Sequence, residues 1–357
     1  MKNLFYDINS SYEKNFHKGP DLINLKKPNA EKLNKKNIFL GFKIHLPFGI
    51  PAGPLLNSKF MKFAFDFGFD VSTYKTVRSD DFPCHPFPNV LYVKAPHELH
   101  PDKDSRLRTV NKPSDMSKLN ITNSFGVPSQ KPAIWKKDVK KALSYVKKNQ
   151  LLILSFMGTV RQNQTRDEFI QDFAKAAKLA SQTGAKALEV NLSCPNLGNE
   201  GLVCYDLELT EKIAKAIRSK IGKKPLILKV GYYKKDEDIE KLAQIAQKYA
   251  NAIAAINTLQ TEVFDKNGNQ ALPGKNRLKS GVCGACIKWA GIEMVKKLDK
   301  IRKKNKYKFE IIGIGGVLTP KDYFDYRKAG ANLVQSATGA MWNPYLAEEI
   351  KKEMKEL

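Results

Sequence analysis

The sequence contains no apolar run long enough to cross a lipid bilayer. No stretch approaches the ~18 consecutive apolar residues that a membrane-spanning helix needs. The first residues, Met1 to Asp7, also lack the apolar centre of a signal peptide. The sequence therefore predicts neither a membrane span nor export, and we expect a cytoplasmic protein.

Cysteine and histidine are scarce, with five of each in 357 residues. An odd number of cysteines in a long chain favours reduced thiols over a disulfide framework. Three histidines (His85, His97 and His100) share one proline-rich stretch, but no carboxylate completes a metal-ligand spacing there. Cys283 and Cys286 form a single CxxC pair, with no second pair to complete a zinc or iron–sulfur site. We predict no metal site.

Acidic residues are also few, 36 against 61 basic residues, which gives a net charge of +25. Such a charge attracts anions and suits nonspecific binding of nucleic acid. Most of the excess, however, is lysine spread along predicted helices, where it forms a solvated face, and no arginine-rich arm accompanies it. We therefore expect a small-molecule substrate rather than nucleic acid as the partner.

Short apolar runs alternate with longer amphipathic segments, a pattern typical of parallel strands joined by helical crossovers. The apolar runs predict eight strands: Phe48–Ala52, Val71–Val77, Leu151–Phe156, Ala187–Leu192, Leu226–Val230, Ala252–Thr258, Ile311–Gly315 and Leu333–Ser336. The amphipathic segments predict helices at 59–67, 133–147, 166–183, 209–221, 237–249, 288–303, 321–329 and 346–355. Eight such repeats predict an α/β fold, the (β/α)₈ TIM barrel. The competing fold is a doubly wound open sheet, but no GxGxxG motif follows the first strand.

Two stretches fall outside this repeat. Residues 1–40 are polar and rich in Lys and Asn, and predict an N-terminal extension that wraps the barrel bottom or makes an oligomer contact. Residues 41–357 then form the barrel domain. Its proline-rich insert after strand 2, at about 79–120, predicts a long loop above the site. The sequence leaves the oligomeric state open, although barrels of this kind often form homodimers.

A cysteine lies at the end of the fourth predicted strand, in Asn191-Leu192-Ser193-Cys194-Pro195-Asn196. Barrel enzymes carry their chemistry at this end of their strands. A thiol held there can be a nucleophile, a metal ligand or a general base, and the flanking Asn side chains offer donors and acceptors to a planar ligand. The alternative is a buried cysteine that acts as a small apolar filler.

Glycines follow the last two predicted strands, in Gly313-Ile314-Gly315-Gly316 and Ser336-Ala337-Thr338-Gly339. Loops in these positions of a barrel commonly bind phosphate, since glycine lets backbone N–H groups approach the anion. We interpret Ser280-Gly281-Val282-Cys283-Gly284 as a turn that faces the same phosphate. Lys75 and Lys229 should point into the same mouth, where an anion would offset the cost of burying them.

Six motifs, in order along residues 47–350, resemble those of dihydroorotate dehydrogenases. They are Tyr74-Lys75-Thr76 after an early Pro51-Ala52-Gly53, Asn123-Ser124-Phe125-Gly126-Val127-Pro128, the Cys194 motif, Leu228-Lys229-Val230, Ile256-Asn257-Thr258 and Ile312-Gly313-Ile314-Gly315-Gly316. The chain most resembles the soluble class 1 enzymes, which use a cysteine base, because the membrane-bound class has serine at the position of Cys194.

The resemblance implies a flavin enzyme, with FMN as cofactor, that oxidises dihydroorotate to orotate in pyrimidine biosynthesis. Cys194 would remove the C5 proton, and Lys75, the second catalytic residue, would lie against flavin and substrate. The implied cofactor-binding residues are Ala52, Gly53, Lys75, Thr76, Asn191, Lys229, Ile256, Gly281, Gly284, Gly315, Gly316, Ala337 and Thr338. The implied substrate-binding residues are Lys75, Asn123, Phe125, Gly126, Val127, Asn191, Asn196, Asn257 and Thr258. Because a free thiol has a pKa of ~8.5, turnover should rise with pH through that region.

Two alternatives stay open at this point. NLSCP also occurs in dihydropyrimidine dehydrogenases, so the substrate could be another dihydropyrimidine. The tRNA dihydrouridine synthases are flavin barrels that also use a cysteine, but they carry glycine where Ser193 stands. The sequence does not name the electron acceptor, which could be fumarate, a nicotinamide reached through an iron–sulfur partner, or a quinone.

Overall fold

The computed structural model describes residues 5–21, 25–28, 37–193, 202–275 and 277–356. Within them, eight parallel strands form one sheet: β1 (Phe48–Gly49), β2 (Val71–Val77), β3 (Leu151–Phe156), β4 (Ala187–Asn191), β5 (Leu226–Lys229), β6 (Ala252–Ala255), β7 (Glu310–Ile314) and β8 (Leu333–Gln335). Their order in the sheet is β1-β8-β7-β6-β5-β4-β3-β2.

One helix follows each strand before the next strand of this sheet begins. The eight are α1 (Ser58–Asp66), α2 (Pro132–Leu143), α3 (Arg166–Ser181), α4 (Leu207–Ile221), α5 (Asp236–Tyr249), α6 (Lys288–Lys304), α7 (Pro320–Ala329) and α8 (Leu346–Glu356). Two further α-helices of the described part, Tyr12–Lys18 and Thr338–Trp342, lie outside this alternation.

The predicted (β/α)₈ barrel is confirmed, with all eight predicted strands present and β2 and β3 at their predicted bounds. The sheet closes between β1 and β2, where the Thr73 N–H on β2 donates to the carbonyl of Ile50, the residue after β1 (2.8 Å). The side chain of Gln335, on β8 next to β1, adds a hydrogen bond from Nε2 to the Val71 carbonyl of β2 (3.2 Å). Gly49 permits this approach, because a Cβ there would lie 1.7 Å from the Val71 carbonyl oxygen.

A hairpin that precedes β1 closes the bottom of the barrel, at the amino-terminal ends of its strands. Asn37–Phe39 pairs antiparallel with Phe42–Ile44. Both residues of the connecting turn, Leu40 and Gly41, have positive φ (50° and 81°), as a type I′ turn requires. Phe39 and Ile44 are buried against interior apolar side chains, which are Val71, Leu151, Ile153, Ala187, Ile227, Ala252, Ala254, Ile312, Ile314 and Leu333.

The first described residues, 5–18, lie at the other end of the barrel, beside its mouth. The Tyr6 ring packs edge-on against Phe125, with centroids 5.9 Å apart, and the Phe16 carbonyl accepts a hydrogen bond from Asn57 Nδ2 (2.7 Å). Residues 5–18 therefore do not lie at the bottom of the barrel, where we expected the extension 1–40 to wrap, whereas residues 37–40 of that extension do lie there, in the hairpin. Aromatic side chains hold residues 5–18 against the mouth instead. The alternative, an oligomer contact, stays a prediction.

Above the mouth, five strands of the described chain form a small closed barrel, which we call the cap sheet. In order around it they are Leu259–Phe264, Lys279–Gly284, Asn120–Asn123, Val90–Lys94 and Arg106–Thr109, and the last pairs with the first. The insert at 79–120 is thus not a long loop, since two of its short runs pair as strands. The prediction failed because the prolines concealed runs of four and five residues whose partners lie far away in sequence.

The segment 280–284 is also not the turn that we predicted. It forms most of strand Lys279–Gly284, with Ser280, Val282 and Gly284 buried and the residues between them less so. Gly284 has a positive φ of 116°, and a Cβ there would lie 2.1 Å from the Leu119 carbonyl oxygen, so both the backbone conformation and the space require glycine. This glycine serves the packing of the cap sheet.

The hairpin that closes the bottom of the barrel generates a stability prediction. Phe39→Ala removes a fully buried ring and should lower the free energy of unfolding by about 3–5 kcal/mol, as measured by urea denaturation. Ile38→Ala is the matched control, because the side chain of Ile38, next to Phe39 in the sequence, is 65% exposed. This variant should change stability by less than about 0.5 kcal/mol. Equal losses in both variants would show that the hairpin does not close the core.

Candidate active site

A cavity lies between the carboxyl ends of the barrel strands and the cap sheet. Its empty volume is about 850 Å³, part of it open to solvent. Twelve of the predicted site residues line it, from separate parts of the chain: Ala52, Gly53, Asn123, Phe125, Lys229, Ile256, Asn257, Thr258, Gly315, Gly316, Ala337 and Thr338. The fold therefore brings the predicted cofactor and substrate residues to one place.

Other predicted residues lie outside the wall of this cavity. Thr76 is buried and its hydroxyl pairs with Ser155 Oγ (3.0 Å), while Asn191 Oδ1 accepts from the Ser193 N–H (3.1 Å). Gly126 and Val127 follow the lining residue Phe125, and Gly281 and Gly284 belong to the cap sheet. Lys75 lines a separate small pocket beside Tyr12 and Tyr74. Cys194 and Asn196 fall outside the described residues. The ligand contacts of all these residues remain predictions.

Two glycines after β7 shape one side of the cavity. Gly315 and Gly316 have φ values of 122° and 67°, a region that side-chain-bearing residues rarely adopt. A Cβ on Gly316 would lie 2.7 Å from Lys288 Cβ and 2.8 Å from the Gly284 carbonyl oxygen. Only glycine fits this position without a shift, so the backbone itself forms the wall, as anion-binding loops require.

Two lysines are buried at the mouth with few protein partners. Lys229 Nζ donates one long hydrogen bond to the Ala52 carbonyl (3.4 Å), and its pKa is lowered by burial, against an opposing effect of Glu189. Burial lowers the pKa of Lys75 to about 7, and the charges of Arg78 and Lys229 add to that effect. Two buried cations so close together are stabilised best by an anionic ligand.

Two arginines that the sequence analysis missed hold the loop between Asn123 and Pro128. Arg78 is 4% exposed and donates to the carbonyls of Gly126 (3.0 Å) and Val127 (2.9 Å). Arg277 donates to the Ser124 carbonyl (2.8 Å). The sequence offered one signal for them, which is the residue type. Arginine stands at both positions although the chain is rich in lysine, and one planar guanidinium group can bond several carbonyls at once.

Among the lining residues that were missed, three carry polar side chains that bear on the site. Tyr6 comes from the N-terminal segment, which has no periodicity that could place it, and Cys283 stands where we expected only a turn. Gln335 ends β8, and its Oε1 has no hydrogen-bond partner within the part of the chain that the structure describes. Cys283 Sγ lies 3.5 Å from both Asn123 Nδ2 and Thr338 Oγ1, and burial raises the pKa of its thiol.

Two searches of the described residues were negative. No three His, Cys, Asp or Glu side chains lie together as a metal site would require. No described helix is both long and apolar enough to cross a membrane.

Comparison with known proteins identifies the family. The family model for dihydroorotate dehydrogenase matches residues 104–357. The dihydroorotate dehydrogenase of Dictyostelium discoideum is 41% identical over 354 residues, which cover 96% of this chain and 95% of that protein. The chain belongs to the dihydroorotate dehydrogenase family. It is therefore a flavin-dependent oxidoreductase, and the resemblance of its motifs to this family is confirmed, while the class 1 assignment stays a prediction.

Other members of the family match a smaller part of the chain. The catalytic subunit of dihydroorotate dehydrogenase B (NAD(+)) from Thermodesulfovibrio yellowstonii is 31% identical over 221 residues, which cover 61% of this chain and 67% of that protein. The corresponding subunit from Thermoplasma volcanium is 35% identical over 169 residues, or 47% of this chain and 52% of that protein.

The glycine wall generates a prediction about flavin binding. Gly316→Ala introduces a Cβ into a contact of 2.7 Å at positive φ, so the loop must move, and flavin affinity should fall by about tenfold or more. Flavin content after purification and fluorescence titration measure it. Gly222→Ala is the control, since Gly222 has a similar φ of 59° but nothing within 4 Å of the new Cβ. Equal flavin affinity in both variants would contradict a cofactor at this wall.

Proposed function

We propose that this chain oxidises dihydroorotate to orotate, with FMN as the cofactor and Cys194 as the general base. One observation carries the proposal: residues from five of the six motifs, distant in sequence, line a single cavity at the catalytic end of the barrel. The family membership agrees with this activity, and the Dictyostelium relative carries its name.

The residues of the cavity fit FMN. Apolar side chains suit a flat tricyclic ring, and they include Pro51, Pro54, Ile256, Ile287 and Val317. The backbone of Gly315 and Gly316, with Thr338, would hold the phosphate, and Lys229 would hold the pyrimidine edge of the ring. Bound FMN would supply the acceptor for a hydride. A buried cation near that edge favours the added negative charge of the reduced ring.

Substrate binding is proposed for the cap-sheet side of the cavity. Asn123, Asn257 and Thr258 line it, and amide side chains match the alternating N–H and C=O groups of a pyrimidine. The Gly126 carbonyl points at Arg78, so the N–H of the same peptide unit, on Val127, points the other way. We propose that this N–H donates to the carboxylate of the substrate, and that Arg78 fixes its direction.

The proposed reaction removes one proton and one hydride from dihydroorotate. The Cys194 thiolate takes the proton from C5, the hydride at C6 leaves with its electron pair for the cofactor, and the C5=C6 double bond of orotate forms. The N–H of Ser193, which donates to Asn191 Oδ1 (3.1 Å), fixes the chain at the residue that precedes the proposed base. Reoxidation by fumarate, NAD⁺ or a quinone would then identify the acceptor.

An anaerobic visible spectrum tests the proposal. Dihydroorotate should bleach the flavin of the parent enzyme, and Cys194→Ala should slow the bleaching by about 10²–10⁴-fold, the usual contribution of a general base. Cys194→Ser tests whether a hydroxyl replaces the thiol, and Cys286→Ala controls for the loss of a buried cysteine outside the cavity wall. Bleaching by dihydrouracil but not dihydroorotate would move the assignment to another dihydropyrimidine, and a protein that takes up no flavin would refute it.

Lys75 generates a prediction about pH. Because its pKa in the protein is about 7, it is mostly uncharged at pH 8, and an anion in the cavity favours the charged form. Binding of orotate at pH 8 should therefore take up about one proton, and binding at pH 6 almost none. Calorimetry in buffers of different ionisation enthalpy measures the uptake. Proton uptake that persists unchanged in Lys75→Gln would show that another group titrates.

A further inference from the structure

Glu189 is a buried carboxyl group that the proposed reaction leaves unused. It lies on β4, two residues before Asn191, and is 0% exposed. Its side chain points into the barrel, because Ala187, two positions earlier, belongs to the interior cluster and side chains alternate along a strand. Neither carboxyl oxygen has a hydrogen-bond partner among the described residues.

Glu189 shares one interior layer with Thr73, Ala254 and Gln335. In barrels of this type each layer takes its side chains from alternate strands, and these four come from β2, β4, β6 and β8. Gln335 Nε2 donates to Thr73 Oγ1 (3.1 Å), which joins two members of the layer, and Ala254 fills little of it. Gln335 Oε1, like both oxygens of Glu189, is buried without a partner in the described part of the chain.

The charges that face this layer are both positive. Lys229 on β5 and Lys75 on β2 are buried, and Ser155 on β3 pairs with Thr76 (3.0 Å). The inward positions of the other strands near this level carry no titratable side chain among the described residues, and they include Ala254, Ile314 and Gln335. Burial raises the pKa of Glu189, and the Lys229 charge and the Ser155 hydroxyl offset that effect only in part.

An ionised carboxylate would place two charged oxygens in the barrel with the Ser155 hydroxyl as the one nearby donor in the described structure, and that hydroxyl already pairs with Thr76. Ionisation is therefore far costlier than keeping the proton. A neutral carboxylic acid instead has an O–H to give, and Gln335 Oε1 in the same layer lacks a donor. We propose that Glu189 remains protonated at neutral pH and donates to Gln335 Oε1, directly or through one water.

A protonated Glu189 carries no negative charge near the two cations Lys75 and Lys229. Gln335 lines the cavity, so a donor on its Oε1 fixes the carboxamide that the ligand meets. An ionised Glu189 would offset the positive charge of Lys229, whereas a protonated one leaves that charge to act on the ligand. Glu189 is thus a positioning residue for Gln335 and Lys229, and its effect on the cofactor rests on the function proposed above.

Infrared spectroscopy of the full chain, labelled with [¹³C]glutamate, tests the protonation state. The parent should show a protonated carboxyl band at pH 7 that shifts with the label and disappears in Glu189→Gln. The band should survive in Glu310→Gln, which removes a second carboxyl with one buried oxygen that has no described partner. If no labelled carboxyl band remains in Glu310→Gln, the proposal is wrong, and this result stands even if Glu189→Gln fails to fold.

Unfolding as a function of pH gives an independent measurement. An unfolded Glu ionises near pH ~4.3, whereas the folded Glu189 keeps its proton, so folding binds one proton more above that pH. Between pH 5 and 7 the unfolding equilibrium constant of the parent should therefore rise about tenfold per pH unit relative to Glu189→Gln. Parallel stability curves would mean that Glu189 is ionised in the folded protein.

Flavin binding tests the positioning role. Glu189→Gln keeps a neutral donor and should bind FMN with nearly the parent affinity, while Glu189→Leu removes the donor and should weaken binding about tenfold. The midpoint potential of bound flavin should be the same in the parent and in Glu189→Gln, because no charge is lost. A higher potential in the Gln variant, or equal affinity in the Leu variant, would overturn the proposal. A chain that binds no FMN would refute the proposed function instead, and would leave the infrared and unfolding results valid.

Discussion

The burial of two lysines inside the carboxyl half of the barrel is the constraint on which the rest of the site depends. The lower half of the barrel is filled with apolar side chains and closed by Phe39 and Ile44, so its stability needs no ligand. The upper half contains Lys75 and Lys229, whose pKa values are lowered by burial. Charge in that place is costly until an anion enters, which is the physical basis of the ligand site proposed above.

The cap sheet and the N-terminal segment make that electrostatic arrangement effective. Val90, Ile121 and Asn123 cover the mouth from the cap sheet, and Tyr6 closes it from the side. Excluding water lowers the local dielectric constant, and this strengthens every interaction between the lysines and a ligand. Arg78 and Arg277 hold the covering loops by their carbonyls, so the cover is fixed by hydrogen bonds as well as by apolar contact.

The sequence could predict the barrel because its signals are local. An apolar run such as Val71–Val77 marks a buried strand wherever its partner lies, and the glycine motifs after β7 and β8 together predict a phosphate-binding site by their position in the last two repeats. The cap sheet could not be predicted in this way. Its strand Arg106–Thr109 pairs with Leu259–Phe264, about 150 residues away, and each run is too short to stand out. Tyr6 and Arg78 could not be predicted either, because the residues that they contact are also far away in sequence.

The unpartnered polar atoms of the described structure are distributed unevenly between the two ends of the barrel. At the bottom, Glu310 keeps one oxygen bonded to the Leu40 N–H (2.8 Å) and buries the other without a described partner. Burial raises the pKa of this carboxyl, and the Leu40 hydrogen bond and the charges of Arg302 and Arg327 offset that effect only in part. At the mouth, Tyr6, Glu189, Ser193 and Gln335 all bury polar atoms without a partner. Folding alone would remove such groups, since each one lowers stability. Tyr6 and Gln335 line the cavity, so a ligand bound there can supply a partner to Tyr6, while the proposed O–H of Glu189 supplies one to Gln335 Oε1.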